Sequence, residues 1–545
     1  MSSEVPSLRR TSTGSQLVIE GRPRLLLGGQ LHNSTPSSAT HLEAALDQLS
    51  TMHVRTVIGN VSWALVEPEE GSFDFTTLDT QITLAQARAQ RLVLIWFGAF
   101  KNAASTYAPR WVRADTDRFP RAVLRATLPR WSYPGQTAKP VLSVFSEELR
   151  AADRRAFTRL LEHLASNDPE HVVVMVQVEN EVGVLGDSRD RAAGALRAWE
   201  DAVPAALLDH LSERGQALRP ELAALWAQHG SRTAGTWSEV FGETWEADEV
   251  FMAWAFARHA EALAGAGKQA KALPMYANAW LGPQPGQPQA GDYPSGGPVA
   301  RVLDVWKAGA PSLDLLGPDI YVPDVVGVLA DYHRDDNPLF VPEAQFRTGS
   351  LFYALGHHHA LGFSVFGVED GRAESQLAHA YDLLSSMEDV ITAAQRDGRI
   401  AGILLDDASG SSFELGGYQI TARGSRTLLG RLLLDAGVPS PPPPPTRPSE
   451  TRGPTGLPSP ADDRPFGILI AESEDTFLLV GQGLSIDFLH PSHRVELDTV
   501  EEGHFDEGAW QPGRVLNGDE RLYLVPMDGL GAARIRLLRT SQSTS

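Results

Sequence analysis

The chain contains no cysteine. That excludes disulfides and every metal site built on thiolates. It also lacks an apolar run near the roughly 20 residues that a membrane-spanning helix needs. Its opening residues, MSSEVPSLRRTSTGS, carry no apolar stretch of the kind a secretory signal requires. Residues 1–16 are therefore expected to be a disordered lead-in, and the expected location is cytoplasmic. Basic residues are in deficit: 47 Lys and Arg stand against 68 Asp and Glu, a net charge of −21. So acidic a surface repels phosphate backbones and anionic lipid, so neither nucleic acid nor a membrane is expected as a partner. The segment AGAGKQA (264–270) lacks the upstream glycine and the hydroxyl residue after Lys268 that a phosphate-binding loop needs.

What is present is 545 residues, 42% of them hydrophobic, enough for two or three domains with a large core. For nearly four hundred residues, β-rich apolar runs alternate with helical patterns. The runs lie at 25–28, 54–58, 92–97, 172–178, 274–277, 315–320, 338–341 and 363–366. Between them, HLEAALDQLSTM (41–52) places Leu42, Ala45, Leu46 and Leu49 on one helical face. Eight β-then-α units predict a parallel sheet, and eight is the number that closes a (β/α)8 TIM barrel; an open doubly wound sheet has the same spacing. The α/β barrel is expected over 17–395, with a helical insertion at about 184–273 and a Gly/Pro-rich loop at 281–299. Both follow strand C-terminal ends and should overhang the barrel mouth. From 396 to 545, short strands punctuated by Gly, Asp and Asn predict a C-terminal all-β, sandwich-like domain. The proline-rich stretch at 439–460 reads as a linker or surface excursion.

In such a barrel, chemistry collects where strands end. Strand one ends at Gln30, His32 and Asn33, and strand two at Asn60, with Trp63 and Glu67 beyond. Strand three ends at Trp96 and Phe97, followed by Lys101 and Asn102. Strand four ends at Glu179, Asn180 and Glu181, strand five at Asn278 and Trp280, strand six at Asp319 and Tyr321, and strand seven at Glu343. Two glutamates from different strands, with amides, aromatic faces and a tyrosine, suit glycoside hydrolysis. One carboxyl must carry a proton for the departing oxygen while the other stays ionised to attack. Trp63, Trp280 and Phe97 are candidate sugar platforms; His32, Asn60 and Asn278 are candidate hydroxyl partners. Trp63, Trp96 and Trp280 fit a packed core equally well. Glu179 reads as a supporting partner behind the site. The run His357-His358-His359 invites a metal reading, but three consecutive rings on a helix diverge. No metal or organic cofactor is expected.

Particular motifs resemble a known group. GNVSWALVEPEEGSFDF (59–75) resembles the strand-two signature of family 35 and family 42 β-galactosidases. QVENEVG (177–183) and GGQLHN (28–33) resemble family 35 motifs. The segments at 93–112, 293–324 and 339–346 are similar to the bacterial branch with an extra C-terminal β domain. The resemblance covers most of 17–435 and continues from 464 to the end. It implies a retaining family 35 β-galactosidase acting on a small β-galactoside or oligosaccharide. By resemblance, Glu181 is the acid/base, Glu343 the nucleophile, Tyr321 a hydrogen-bond donor to that nucleophile, and Asn180 the holder of the sugar 2-hydroxyl. A retaining enzyme sets its two carboxyl groups roughly 5–5.5 Å apart. A β-glucosidase, an arabinopyranosidase or an inactive carbohydrate-binding protein remain as alternatives, and a homo-oligomer stays open.

Overall fold

The computed structural model describes residues 4–125, 140–406, 410–438, 450, 461–506 and 508–541. Its centre is an eight-stranded, wholly parallel sheet. The strands are β1 (Gly28–Gln30), β2 (Thr56–Ser62), β3 (Arg91–Lys101), β4 (Val173–Asn180), β5 (Met275–Trp280), β6 (Leu315–Ile320), β7 (Glu343–Ala344) and β8 (Val365–Phe366). Their spatial order is β7-β6-β5-β4-β3-β2-β1-β8. The gap between β7 and β8 is bridged by the parallel pair Val341 and Phe363, with the Ser364 amide donating to the Val341 carbonyl at 2.8 Å. The sheet is therefore a barrel, and all seven polar strand ends face the same rim.

Near-continuous apolar strands follow from a sheet buried on both sides. Ile58, Val93, Ile95, Phe97, Val174, Tyr276, Leu315, Phe340 and Leu361 form one cluster, filling the barrel. The outward side chains join the helices in a separate, larger core.

Leu17 and Ile19 belong to the interior cluster. They come from a three-stranded antiparallel sheet of Ser7–Arg10, Ser15–Ile19 and Arg22–Arg24. The expected disordered lead-in over 1–16 is thus corrected: Ser7–Arg10 is a strand, and the Thr13 and Gln16 side chains donate to the Gln395 and Thr392 carbonyls, both at 2.6 Å. Polar composition concealed this, because the apolar residues that pull the segment in come only after it.

Residues 184–273 are helical, but the last helix, Trp245–Ala270, packs on Glu147–Asn167 as part of the outer ring. The added part therefore ends before Trp245.

The C-terminal region pairs a six-stranded sheet with a three-stranded one. Alternation assigns the faces of strand Phe466–Ala471. Phe466, Ile468 and Ile470 join the barrel's outer core, with Phe466 against Phe352 at 5.1 Å between ring centroids. Leu469 and Ala471 face the other way, onto Ile420 and Ala422 of the smaller sheet. A sandwich-like β domain is thereby fused to the barrel through a shared core. Apart from Glu450, the proline-rich stretch 439–460 lies outside the described residues. Among the described residues no helix is long and apolar enough to cross a membrane.

Candidate active site

The stretch VMVQVENEVG shows how the site is built. Val173–Asn180 is buried along its whole length. At its end the backbone turns left-handed twice, at Glu179 (φ 62°) and Glu181 (φ 46°). Such conformations cost a non-glycine residue on the order of 1–2 kcal/mol each, and they persist where packing over-determines them. They send the two neighbouring carboxylates to different places.

Glu179 turns away from the barrel mouth. Its carboxylate accepts the Ala99 and Phe100 amides at 3.0 and 2.9 Å. His259 lies 3.4 Å from it, and Asp153 takes the His259 ring and the Trp96 indole at 3.0 and 2.8 Å. Burial, together with the Asp153 charge, pushes Glu179 well above the ordinary glutamate range. Glu179 clamps the end of β3 from behind, directly before Lys101 and Asn102.

Glu181 turns inward. Its amide donates to Asn278 Oδ1 at 2.9 Å, and Asn102 Nδ2 donates to its carboxylate at 2.5 Å. Asn278 in turn donates to Asp319 Oδ2 at 2.6 Å. Glu343, at the start of β7, accepts the Tyr321 hydroxyl at 2.5 Å and bonds the Gln30 side chain. Glu181, Asp319 and Glu343 each offer an oxygen, and these oxygens all lie within 4.8 Å of one another. They line a cavity of about 250 Å³ together with Asn102, Trp280, Leu281, Gln284, Tyr321 and Val322. That is a little below the usual range for ligand clefts, about 300–1,000 Å³.

Lys101 supplies the positive charge. Its ammonium bonds Asn180 Oδ1 at 2.5 Å, bonds Asn102 Oδ1 as well, and sits 4.6 Å from the Phe97 ring centroid. Burial lowers its proton affinity, opposed by the charges of Glu181, Glu343 and Asp319. Burial raises Glu343 above the ordinary glutamate range, countered by Lys101, Tyr321 and Gln30. Asn180 Nδ2 is buried and has no acceptor among the described residues. Among the described residues, two groups have spacing that could hold a metal ion: Glu181, Asp319 and Glu343, and separately Asp153, Glu179 and His259. In the first, the lysine already supplies a cation.

Six expected sugar contacts, Asn180 among them, do not line the cavity. Trp63 is fully buried, with its indole on Glu67 at 2.8 Å and its ring edge-on to Trp111. It is core because the short helix Trp63–Val66 begins directly after β2 and turns the ring behind the sheet. Phe97 is buried inside the barrel beneath Lys101. Asn60 donates to the Asn33 carbonyl at 2.8 Å, tying the loop after β1. His32 stands to one side, with its ring on Asp370 and its amide on Glu369, both at 2.8 Å. Asn278 reaches Glu181 and Asp319 and does not line the cavity.

The strand-end reading named Gln30, Lys101, Asn102 and Asp319 but gave them no part in the site. It missed Leu281, Gln284 and Val322. Leu281 and Gln284 come from the loop after β5, which does overhang the mouth. The three histidines diverge: His357 stacks on Tyr353, His358 meets His333 at 3.1 Å, and His359 meets the Thr13 carbonyl at 3.2 Å.

Residues 35–219 match a family model described as Beta-galactosidase, that of glycoside hydrolase family 42. The match runs from just after β1 through β4 and into the helices that follow it. The family 35 resemblance is corrected by this match, which points to family 42 instead. Residues 377–527 match a second family, described only as a domain of unknown function (DUF5597). No curated protein matches the chain. Among solved structures, the chain is similar to a β-galactosidase from Bacillus circulans sp. alkalophilus: 12% identity, 94% of this chain and 99% of that one covered, TM-score 0.48. It is also similar to a family 42 β-galactosidase from G. stearothermophilus: 11% identity, 94% and 98% covered, TM-score 0.47. A third is the β-galactosidase of the haloarchaeon Halorubrum lacusprofundi: 17% identity, 66% of this chain covered, TM-score 0.39. The chain spans only 58% of that haloarchaeal enzyme's length.

Proposed function

We propose that this protein is a retaining β-galactosidase that removes terminal non-reducing β-D-galactosyl residues from a small galactoside or oligosaccharide. The observation that carries the reading is the meeting of Glu181 and Glu343 in one cavity, their oxygens within 4.8 Å, from strand ends far apart in sequence. That separation suits direct attack rather than a water held between the carboxyl groups.

Glu343 attacks the anomeric carbon as the bond to the leaving oxygen breaks. Glu181 gives its proton to that oxygen, leaving a galactosyl ester on Glu343. Glu181, now a base, takes a proton from water, whose oxygen attacks the same carbon and frees Glu343. The Tyr321 hydroxyl holds Glu343 in line for attack. Asn180 Nδ2, which has no acceptor among the described residues, is the donor assigned to the 2-hydroxyl, and Trp280, which lines the cavity, offers a wall for the sugar's apolar face.

A panel of nitrophenyl glycosides tests the reading. The β-galactoside is expected to have the highest kcat/KM; a glucoside or arabinopyranoside in front replaces the sugar assignment, and an inert panel removes the activity.

The acid side of the pH profile provides a further test. Glu343 must be ionised to attack, and burial raises its proton affinity. Activity is therefore expected to fall, as pH drops, at a value above the ordinary glutamate range of about 4.3. Lys101→Met removes the charge that counters this, so the acid limb of kcat/KM should move to higher pH by about one unit. An unmoved limb would take Lys101 out of the nucleophile's surroundings.

A further inference from the structure

A third carboxyl group stands in the cavity, and the two-glutamate chemistry does not use it. Asp319 ends β6, is 3% exposed, and lines the same space as Glu181 and Glu343. Its Oδ2 is held by Asn278, whose own oxygen accepts the Glu181 amide. One asparagine therefore fixes both residues relative to each other. Its Oδ1 is buried and meets no standing N–H or O–H donor among the described residues. Yet Asp319 and Glu181 bring carboxylate oxygens within 4.8 Å of each other. Two carboxylates are both acceptors, so a direct bond between them needs a proton on one.

We propose that Asp319 is a positioning residue that shares a single proton with Glu181 and keeps that proton available for donation to the leaving oxygen. This rests on the reading of Glu181 as acid/base.

The surroundings fit one proton on the pair. Facing Asp319 are Lys101 from β3, Glu181 beyond β4, Tyr276 from β5, Tyr321 beyond β6, Tyr332 from helix Val325–Tyr332, and Glu343 from β7. Lys101 is the one cation among them, and Glu343 takes part of its field. With Glu343 ionised, taking the proton from the Asp319–Glu181 pair would leave three carboxylates around one ammonium. Burial and the two neighbouring glutamates all oppose that state, raising Asp319 well above the ordinary aspartate range. The pair titrates as a unit. Once Glu181 passes its proton to the leaving oxygen, its charge stands beside Asp319. That repulsion favours taking the proton back from water in the second step.

Asp319→Asn tests this, because the amide keeps the shape and an oxygen for Asn278 but cannot become an anion. With a poor leaving group such as lactose, the alkaline limb of kcat/KM should move to lower pH by about one unit, as Glu181 loses the neighbour that discouraged its ionisation. With an aryl galactoside carrying a good leaving group, the same variant should keep the wild-type limb, because departure needs no proton. An unmoved limb on lactose, with thermal unfolding unchanged, would reduce Asp319 to a structural role; an alkaline shift would overturn the shared proton.

A carbon NMR titration of wild-type protein labelled at the aspartate carboxyl carbons does not depend on the variant folding. One aspartate signal should titrate with the alkaline limb and shift in Glu181→Gln; if none does, the proposal falls. Failure of the parent reading looks different: Glu343→Ala would then retain activity whatever Asp319 does.

Discussion

Glu343→Ala is expected to lower galactoside turnover by on the order of 10⁴-fold or more, on every substrate, with the fold intact. The size follows from what is removed. No other carboxylate can take its place without rearrangement: Asp319 is held by Asn278, and Glu181 is held through its amide by the same asparagine. Tyr321 would lose its acceptor, but its hydroxyl faces the cavity and water can replace the carboxylate. Steady-state rates on nitrophenyl galactoside and on lactose, with circular dichroism and a melting curve, make the check. A loss below tenfold in a folded variant would end the assignment of Glu343 as nucleophile.

The second large effect depends on substrate. Glu181→Ala should cost about 10²–10⁴-fold on lactose, the usual worth of a positioned general acid. On an activated aryl galactoside the first step should hardly change, because the leaving oxygen departs unprotonated. The ester on Glu343 should then accumulate, since no base remains to activate water, and a burst of aryl alcohol should precede a slow steady state. Azide needs no base. It should speed the second step and yield a β-galactosyl azide, retention being the sum of two inversions. An equal loss on both substrates, with no burst and no azide effect, would rule out the acid/base role.

Legibility differed from residue to residue. The end of β4 was readable because a run of buried valines followed by Glu-Asn-Glu has no explanation as packing. Glu343 was readable through the motif around it. Trp63 was not, since a tryptophan after a strand can lie over a mouth or behind a sheet, and only the short helix that follows puts it against Trp111. Lys101 and Asn102 stood in the sequence as an ordinary polar pair. Their bonds to Asn180 and Glu181 depend on a break in β3–β4 register between Trp96 and Lys101, together with left-handed backbone at Asn102. Residues Ser7–Arg10 gave no sign of order, since they are polar and are held by pairing with Ser15–Ile19, while Thr13 and Gln16 are anchored to carbonyls hundreds of residues further on.

Taken alone, the sequence determined the alternation of eight strands with helices, the β character of the last 150 residues, and which polar residues stand near the strand ends. Those are local properties: period, turn chemistry, and a polar residue where burial stops. Only the tertiary structure decided which of those ends meet. Closing the barrel brings positions 181, 319 and 343 around one lysine, in a space with little water to screen them. There each group's charge is set by its neighbours, and no spacing along the chain records who those neighbours are.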